Sequence, residues 1–428
     1  MTRTTRAVLD IVAIAVRAVD GGKRADQVLS RILRDRKDLD EPTRATVHRA
    51  TMALFRWWGW VEAHGQQSIA RSVGLALLLQ HKGEIAADPF LADLAKAARL
   101  DLAKIGPSAQ SARLSEKAAW LAELVRGKVE PLHLFPDWLP KHLPEMEAPA
   151  REALFDSLQH LPSLWIRAQG KEASGLVEVL RATGFQLKPH AVLDRAIEVL
   201  SGGDLYRTEP FKAGRYEVQD VASQAVVHAT GAARGEAWWD ACAGAGGKTL
   251  ALADRMHGGG TVLATDTHTG RLGELGRRAR RAGLSNIRPV EWDGKALPGP
   301  AKRGEGFHGV LVDAPCSASG TWRRSPDARW RTPEAAVKRL AALAKSLLAL
   351  VAPCVRSGGR LIYATCSLSR LENEEVVEAF LGAHPEFAPD PVPHPLTGAA
   401  TSGVFRILPE ESGGDGMFIA RLRRAPAK

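Results

Sequence analysis

Apolar residues in the first third of the chain recur at helical spacing. Val8, Val12, Val16 and Val19 fall on one face of a 3.6-residue period, as do Val28 with Ile32 and then Val47, Ala50 and Leu54. Strand-like alternation is absent, so residues 1 to about 130 are predicted to be all helix. Asp38-Leu-Asp-Glu-Pro42 breaks the pattern and offers an N-cap for the next helix. That helix is expected to end in the aromatic cluster Trp57, Trp58 and Trp60, packed in a core or at an interface. Between about 131 and 235 the pattern changes. Pro131, Pro136, Pro140 and Pro144 punctuate its start, and Phe135-Pro-Asp-Trp-Leu139 predicts a short docked helix. A strand at 163–167, a helix at 174–183 and strand and helix fragments at 191–199 then make a small α+β module. From about 236 strand, loop and helix alternate regularly. Strands are predicted at 237–241, 261–265, 287–292, 309–312 and 360–364, helices at 248–256, 270–282, 333–351 and 372–383, and a terminal strand pair at 404–408 and 417–422. This alternation predicts an α/β domain on a doubly wound parallel sheet, with ligands at the carboxyl ends of the strands.

Composition adds bounds. The 428 residues are 45% hydrophobic and 25% charged, the balance of an ordinary globular protein of two to four domains. The aliphatic run from Ile11 to Val16 is far short of the ~20 residues of a membrane span, and the start lacks a secretory core and cleavage site. A cytosolic protein without a membrane partner is expected. Four cysteines, Cys242, Cys316, Cys354 and Cys366, make neither a disulfide framework nor a C-x-x-C metal pair, so no metal is expected. Charge is more telling. Residues 1–60 carry 12 basic and 7 acidic groups, and residues 271–331 carry 13 and 6, which together account for more than the whole net charge of +10. A basic excess concentrated in two segments is the footprint of a polyanion partner.

Five short segments carry candidate chemistry. Asp240-Ala-Cys-Ala-Gly-Ala-Gly-Gly-Lys248 follows the first strand of the α/β domain, where glycines let the backbone turn tightly and approach a ligand. Asp266 ends the next strand, in a position that suits the two hydroxyls of a ribose. Asp293 ends the following one and can accept from an adenine amino group. Three acidic strand ends repel phosphates, and suit an adenosine carrying a positive sulfonium better than a dinucleotide. The pattern points to S-adenosylmethionine. Asp313-Ala-Pro-Cys-Ser-Ala-Ser-Gly-Thr-Trp-Arg-Arg324 and Tyr363-Ala-Thr-Cys-Ser-Leu368 each place a cysteine just past a strand. Carbon 5 of cytosine is a poor nucleophile until a thiolate adds to carbon 6 and an acid steadies the charge displaced to ring nitrogen 3. Two thiols and a carboxylate at adjacent strand ends suit that reaction, and the residues alone do not say which thiol attacks.

With Arg323-Arg324-Ser-Pro-Asp327, Thr365-Cys-Ser and Glu372-Asn-Glu374, these motifs resemble the Nop/Sun family of RNA 5-methylcytosine methyltransferases. Val218-Gln-Asp-Val-Ala-Ser-Gln224 and Phe135-Pro-Asp-Trp-Leu139 have counterparts there, and the resemblance covers roughly residues 131–428. The N-terminal helices, with 41–57, look similar to the NusB-like domain of a bacterial member that modifies small-subunit ribosomal RNA. The resemblance implies three parts: a NusB-like RNA-binding domain over 1–130, a linker module over 131–235, and a Rossmann-like class I methyltransferase domain over 236–428. It implies Cys366 as nucleophile, Cys316 as the cysteine that assists product release, and Asp313 as a contact to the cytosine. Cys242, Ala243, Gly244, Ala245, Gly246, Gly247, Lys248, Asp266, Asp293 and Asp313 match the S-adenosylmethionine site. Gly244-Ala245 departs from the usual Ala-Pro, which is expected to loosen the loop and keep the Gly246-Gly247 turn. The implied activity is methylation of carbon 5 of a cytosine in RNA, 16S ribosomal RNA foremost, with no obligate protein partner. Transfer RNA as substrate and a silent NusB-like assembly factor are the competing expectations.

Overall fold

The computed structural model describes residues 1–65, 68–81, 88–101, 113–170, 175–298, 301 and 306–426. They form two compact units, one of residues 1–161 with 321–334, the other of 162–320 with 335–428. The first unit is helical among its described residues. Helix Arg3–Asp20 starts on Thr2, whose hydroxyl accepts from the Thr5 N–H, and buries Val8, Ile11, Val12 and Val19. Helix Glu41–Gly65 is capped as expected, Asp40 accepting from the Thr43 N–H at 3.0 Å. It does not end at the tryptophans, however. Trp57 and Trp60 lie inside it, buried, with ring centroids 5.4 Å apart, and the helix continues past them to Gly65. The docked helix expected in the proline-rich stretch is Trp138–His142.

Segment 321–334 is threaded through this unit. Arg329, almost fully buried, donates to the carbonyls of Arg56, Leu134 and Leu158 and to Gln159 Oε1, and lies over the Phe135 ring. Arg56, also buried, donates to the Arg323 carbonyl and to Gln80 Oε1. Burial lowers the proton affinity of both guanidinium groups, and carbonyl oxygens hold them in place of carboxylates. Gly59 is required here, since a Cβ would stand 1.6 Å from the His133 oxygen.

The second unit holds two sheets. Strands β1 (Leu164–Ala168), β2 (Gln186–Pro189), β3 (Ala196–Ser201) and β4 (Tyr216–Val218) form an antiparallel sheet in the order β2-β3-β1-β4. Helix Leu176–Ala182 covers a core of Ile166, Leu180, Phe185 and Tyr216. Residues 191–195 are turn and bend, so the helical fragment expected there is absent, and Ser174 lies outside the described residues. The larger sheet contains β5 (Ala237–Asp240), β6 (Thr261–Asp266), β7 (Ile287–Glu291), β8 (Phe307–Asp313), β9 (Val355–Thr365), β10 (Phe387–Pro389), β11 (Val404–Ile407) and β12 (Met417–Arg424). Its order is β10-β12-β9-β8-β5-β6-β7, with β11 beside β12. Strands β5 to β9 pair in parallel, but β12 runs antiparallel to both β9 and β10. The parallel sheet predicted from alternation is present in β5 to β9, and the predicted terminal strand pair makes the sheet mixed: β11 and β12 enter as a hairpin, which needs no crossover helix.

Successive side chains on β5 point to opposite faces. Trp238 joins the core against helices 221–230 and 247–255, and Trp239 the core against helices 334–351 and 374–383. Gly309 on β8 leaves room for the Trp238 ring, which a Cβ would meet at 2.2 Å. The chain runs from β5 outward through β6 to β7, then returns to β8 on the other side of β5. The β5/β8 boundary is the topological switch point, where loops diverge and open a crevice at the carboxyl ends.

Candidate active site

Four carboxyl ends meet at that crevice. After β5 the backbone turns through Gly244 (φ 54°) and Gly246 (φ 90°) into helix Gly247–Arg255. Gly246 is required twice over, by its left-handed backbone and because a Cβ would stand 2.6 Å from Leu275 Cγ. Gly244 faces open space, so the departure from Ala-Pro there places a residue without a Cβ where the backbone is left-handed. The loop is tied down by the Gly244 N–H to Asp266 Oδ2 at 2.9 Å, the Ala243 N–H to the Thr265 oxygen at 2.8 Å and Arg278 to the Ala245 oxygen at 2.7 Å. Asp266 uses its other oxygen to accept the His268 N–H at 2.9 Å.

Asp240 is fully buried at the end of β5. Burial pushes its carboxyl up to about 7; the Thr249 hydroxyl, donating at 2.6 Å, opposes this and Asp313 adds to it. The Cys242 thiol is raised well above its usual value by burial, and then by the carboxylates of Asp240, Asp313 and Asp266. Three acidic groups thus converge on one loop, a donor set that fits a cationic ligand and rejects a phosphate. Asp293 stands apart. It lies two residues beyond β7, exposed, and its carboxylate is lowered by local backbone N–H groups, that of Lys295 first.

Cys316 follows β8 and Cys366 follows β9. Their Sγ atoms are 3.5 Å apart, and both residues are half-buried. Lys248, in the first turn of its helix, reaches Asp313 Oδ2 at 2.8 Å. Burial alone would lower the Lys248 ammonium, but Asp313, then Cys366 and Asp240, hold it above its ordinary value. Lys248 is thus held as a cation beside Asp313 at the crevice. Cys316 is raised well above a normal thiol, first by its hydrogen bond with Cys366, then by burial and by Glu372.

Cys242 to Lys248, Asp266, Asp313, Cys316 and Cys366 are thus all at the carboxyl ends of neighbouring strands, and Asp293 has no contact with them among those described. One group escaped notice as anything but part of a motif: Glu372, which hydrogen-bonds the residue after each cysteine. The only sequence signal was its place six residues beyond Cys366. The basic cluster on helix Thr269–Arg281 is divided. Arg278 and Arg281 turn to the buried carboxylate of Glu217, while Arg271, Arg277 and Arg280 are exposed. Among the described residues no cluster of His, Cys, Asp and Glu is arranged to hold a metal ion, and no helix is long and apolar enough to cross a membrane.

Comparison with known proteins follows the same geography. The family model described as 16S rRNA methyltransferase RsmB/F matches residues 229–423. The "Probable ribosomal RNA small subunit methyltransferase B" of Synechocystis sp. is 34% identical over 299 residues, 68% of this chain and 67% of that protein. The chain matches about two thirds of the length of its curated relatives. In fold, the crystal structure of PH0851 aligns with a TM-score of 0.75 at 23% identity, over 99% of this chain and 100% of that one. The crystal structure of NSun6 from Pyrococcus horikoshii with SFG aligns with a TM-score of 0.59 at 18% identity, over 68% of this chain and 99% of that one.

Proposed function

The chain belongs to the RsmB/F family of 16S rRNA methyltransferases, and from that premise we propose that it methylates carbon 5 of a cytosine in small-subunit ribosomal RNA through a covalent cysteine–cytosine intermediate. The cofactor is S-adenosylmethionine, which supplies the methyl group when bound. The residues that would hold it are the loop from Cys242 to Lys248 with Asp266, Asp313 and, at the adenine end, Asp293. The carboxylates around Cys242 fit the positive sulfonium, and the absence of a side chain at Gly244 and Gly246 lets backbone approach the ligand.

The observation that carries the reading is the pair of thiols 3.5 Å apart on adjacent strand ends, with the Lys248–Asp313 ion pair beside them. Cys366 adds as thiolate to carbon 6 of the base, and the displaced electron pair makes carbon 5 nucleophilic. Asp313, held by the Lys248 ammonium, contacts the cytosine, and a proton taken up at ring nitrogen 3 neutralises the charge that reaches it. Once carbon 5 carries the methyl group, its proton passes to water acting as base, the C–H electron pair re-forms the carbon 5–carbon 6 double bond, and the carbon 6–sulfur bond breaks to release Cys366 as thiolate. Cys316 assists this release. An intact pair of thiols has no purpose in a silent assembly factor.

The partner is ribosomal RNA, met in the cytoplasm and bound in part by the NusB-like helices. We keep 1–130, 131–235 and 236–428 as the division of labour into RNA binding, linkage and catalysis. Methyl-labelled cofactor and small-subunit ribosomal RNA test the reading, with transfer RNA as comparison and bisulfite sequencing to locate the product. Label on carbon 5 of one ribosomal cytosine is expected. Label on another atom, or only on transfer RNA, overturns the reading.

A further inference from the structure

Behind the two thiols lies a buried polar network that the chemistry above does not use. Glu372 is 1% exposed. Its Oε1 accepts the Ser317 N–H at 2.7 Å, and its Oε2 accepts the Ser317 hydroxyl at 2.6 Å and the Ser367 hydroxyl. Ser317 directly follows Cys316 and Ser367 directly follows Cys366, so one carboxylate grips the residue next to each thiol. Secondary ties run alongside. Ser319 Oγ accepts the Leu368 N–H at 2.8 Å, the Gly320 N–H donates to the Cys366 oxygen at 2.9 Å, and Asn373 Nδ2 donates to the Ser367 oxygen at 2.8 Å.

Burial raises the Glu372 carboxyl, against the opposing hydrogen bonds of Ser317 and Ser367. The groups holding it are hydroxyls and one N–H rather than a cation, and a buried carboxylate without a cation is a costly way to join two loops if joining them for stability were the only purpose.

The geometry points to Glu372 as a positioning residue that sets the separation of Cys316 and Cys366 by clamping the two loops that carry them. Released from the carboxylate, each cysteine loop keeps only its secondary ties. A displacement of about 1 Å at a reacting atom is enough to cost on the order of a hundredfold in rate. The inference rests on the proposed roles of the two thiols, and its test has one readout that does not.

The full-length protein and its Glu372→Ala, Glu372→Asp and Glu372→Gln variants are compared in two ways. The first is steady-state methylation of ribosomal RNA. The second is the rate at which diamide joins Cys316 to Cys366: the two thiols give up two electrons and two protons to the azo reagent, which becomes the hydrazine, and peptide mass spectrometry counts the disulfide. Glu372→Ala is expected to lose about a hundredfold in kcat with the KM for S-adenosylmethionine little changed, and to shift the disulfide rate by about tenfold. Glu372→Asp, one methylene short of bridging both loops, is expected to follow it and covers the case in which the alanine variant does not fold. Glu372→Gln is expected to recover most of both readouts, because its amide oxygen accepts the Ser317 N–H and the serine hydroxyls can rotate to accept from its NH2 group. Parental values of kcat and disulfide rate in the alanine and aspartate variants overturn the inference, as does a glutamine variant as impaired as alanine. If the parent does not methylate cytosine at all, the proposed function fails, and the disulfide rates still decide the positioning role.

Discussion

Replacing Asp266 separates the cofactor site from the rest of the molecule. Its carboxylate accepts two backbone N–H groups, from Gly244 and His268, each at 2.9 Å, and its side chain is only 10% exposed. Hydrogen bonds to a charged acceptor are worth about 1.5–3 kcal/mol each. In Asp266→Asn one oxygen becomes an NH2 group, which faces an N–H it cannot accept, so one of the two bonds is lost. In Asp266→Ala both are lost, along with the acceptor proposed for the ribose hydroxyls. The loop keeps its bonds to Thr265 and Arg278, so it is loosened rather than unfolded. Losing the equivalent of one charge-assisted bond weakens S-adenosylmethionine by about tenfold to a hundredfold, at about 1.4 kcal/mol per tenfold. Isothermal titration with the cofactor measures this, and filter binding of RNA is expected to be nearly unchanged. Parental cofactor affinity in Asp266→Ala removes Asp266 from the site, and equal losses for cofactor and RNA show general unfolding instead.

Gly246→Ala places a side chain against Leu275 and Leu250 on a left-handed backbone. It is expected to abolish measurable cofactor binding by calorimetry, and parental affinity refutes the tight-turn argument. Asp240 titrates near 3.8 when unfolded and at about 7 when folded, because burial disfavours its charge. The folded state therefore binds more protons between those values, and stability declines as pH rises from about 4 to about 7. Asp240→Asn is expected to flatten that decline in a series of Tm measurements, and parallel curves for variant and parent contradict it. Replacing the exposed Arg271, Arg277 and Arg280 is expected to flatten the salt dependence of RNA affinity by about one to two units, at about 0.7 per lost single-strand contact. An unchanged slope assigns the helix face to solvent.

Local pattern made the α/β domain legible, strand by strand, from β5 to β9, because strands such as β6 and β8 carry short buried apolar runs and helices alternate with most of them. The acidic strand ends and the two cysteines were legible for the same reason: strand ends are where side chains reach ligands. What escaped depends on pairings distant in the chain. β12 lies between β9 and β10, with Ile419 opposite Ala364 on one side and Arg424 opposite Phe387 on the other, and no periodicity announces its direction. Arg278 and Arg281 read as surface charge until Glu217, more than sixty residues away, claims them. Segment 321–334 reads as an extension of the Cys316 loop, yet it packs with the helical unit through Arg56 and Arg329, most of whose partners are backbone carbonyls that any sequence offers. Glu372 was visible, but its purpose depends on Ser317 and Ser367, and serines in loops are too common to signal a clamp.

The central claim is that two neighbouring thiols divide one reaction between them, and single substitutions separate the halves. Cys366→Ala, Cys316→Ala and the double variant are incubated with ribosomal RNA and S-adenosylmethionine, then run on denaturing gels beside a methylation assay. Cys366→Ala is expected neither to methylate RNA nor to attach to it. Cys316→Ala is expected to add to cytosine, transfer the methyl group and stall, giving a protein–RNA adduct that survives denaturation and disappears in the double variant. Adducts from Cys366→Ala, with Cys316→Ala inert and adduct-free, would exchange the two roles, and full activity in both single variants would contradict the covalent mechanism altogether.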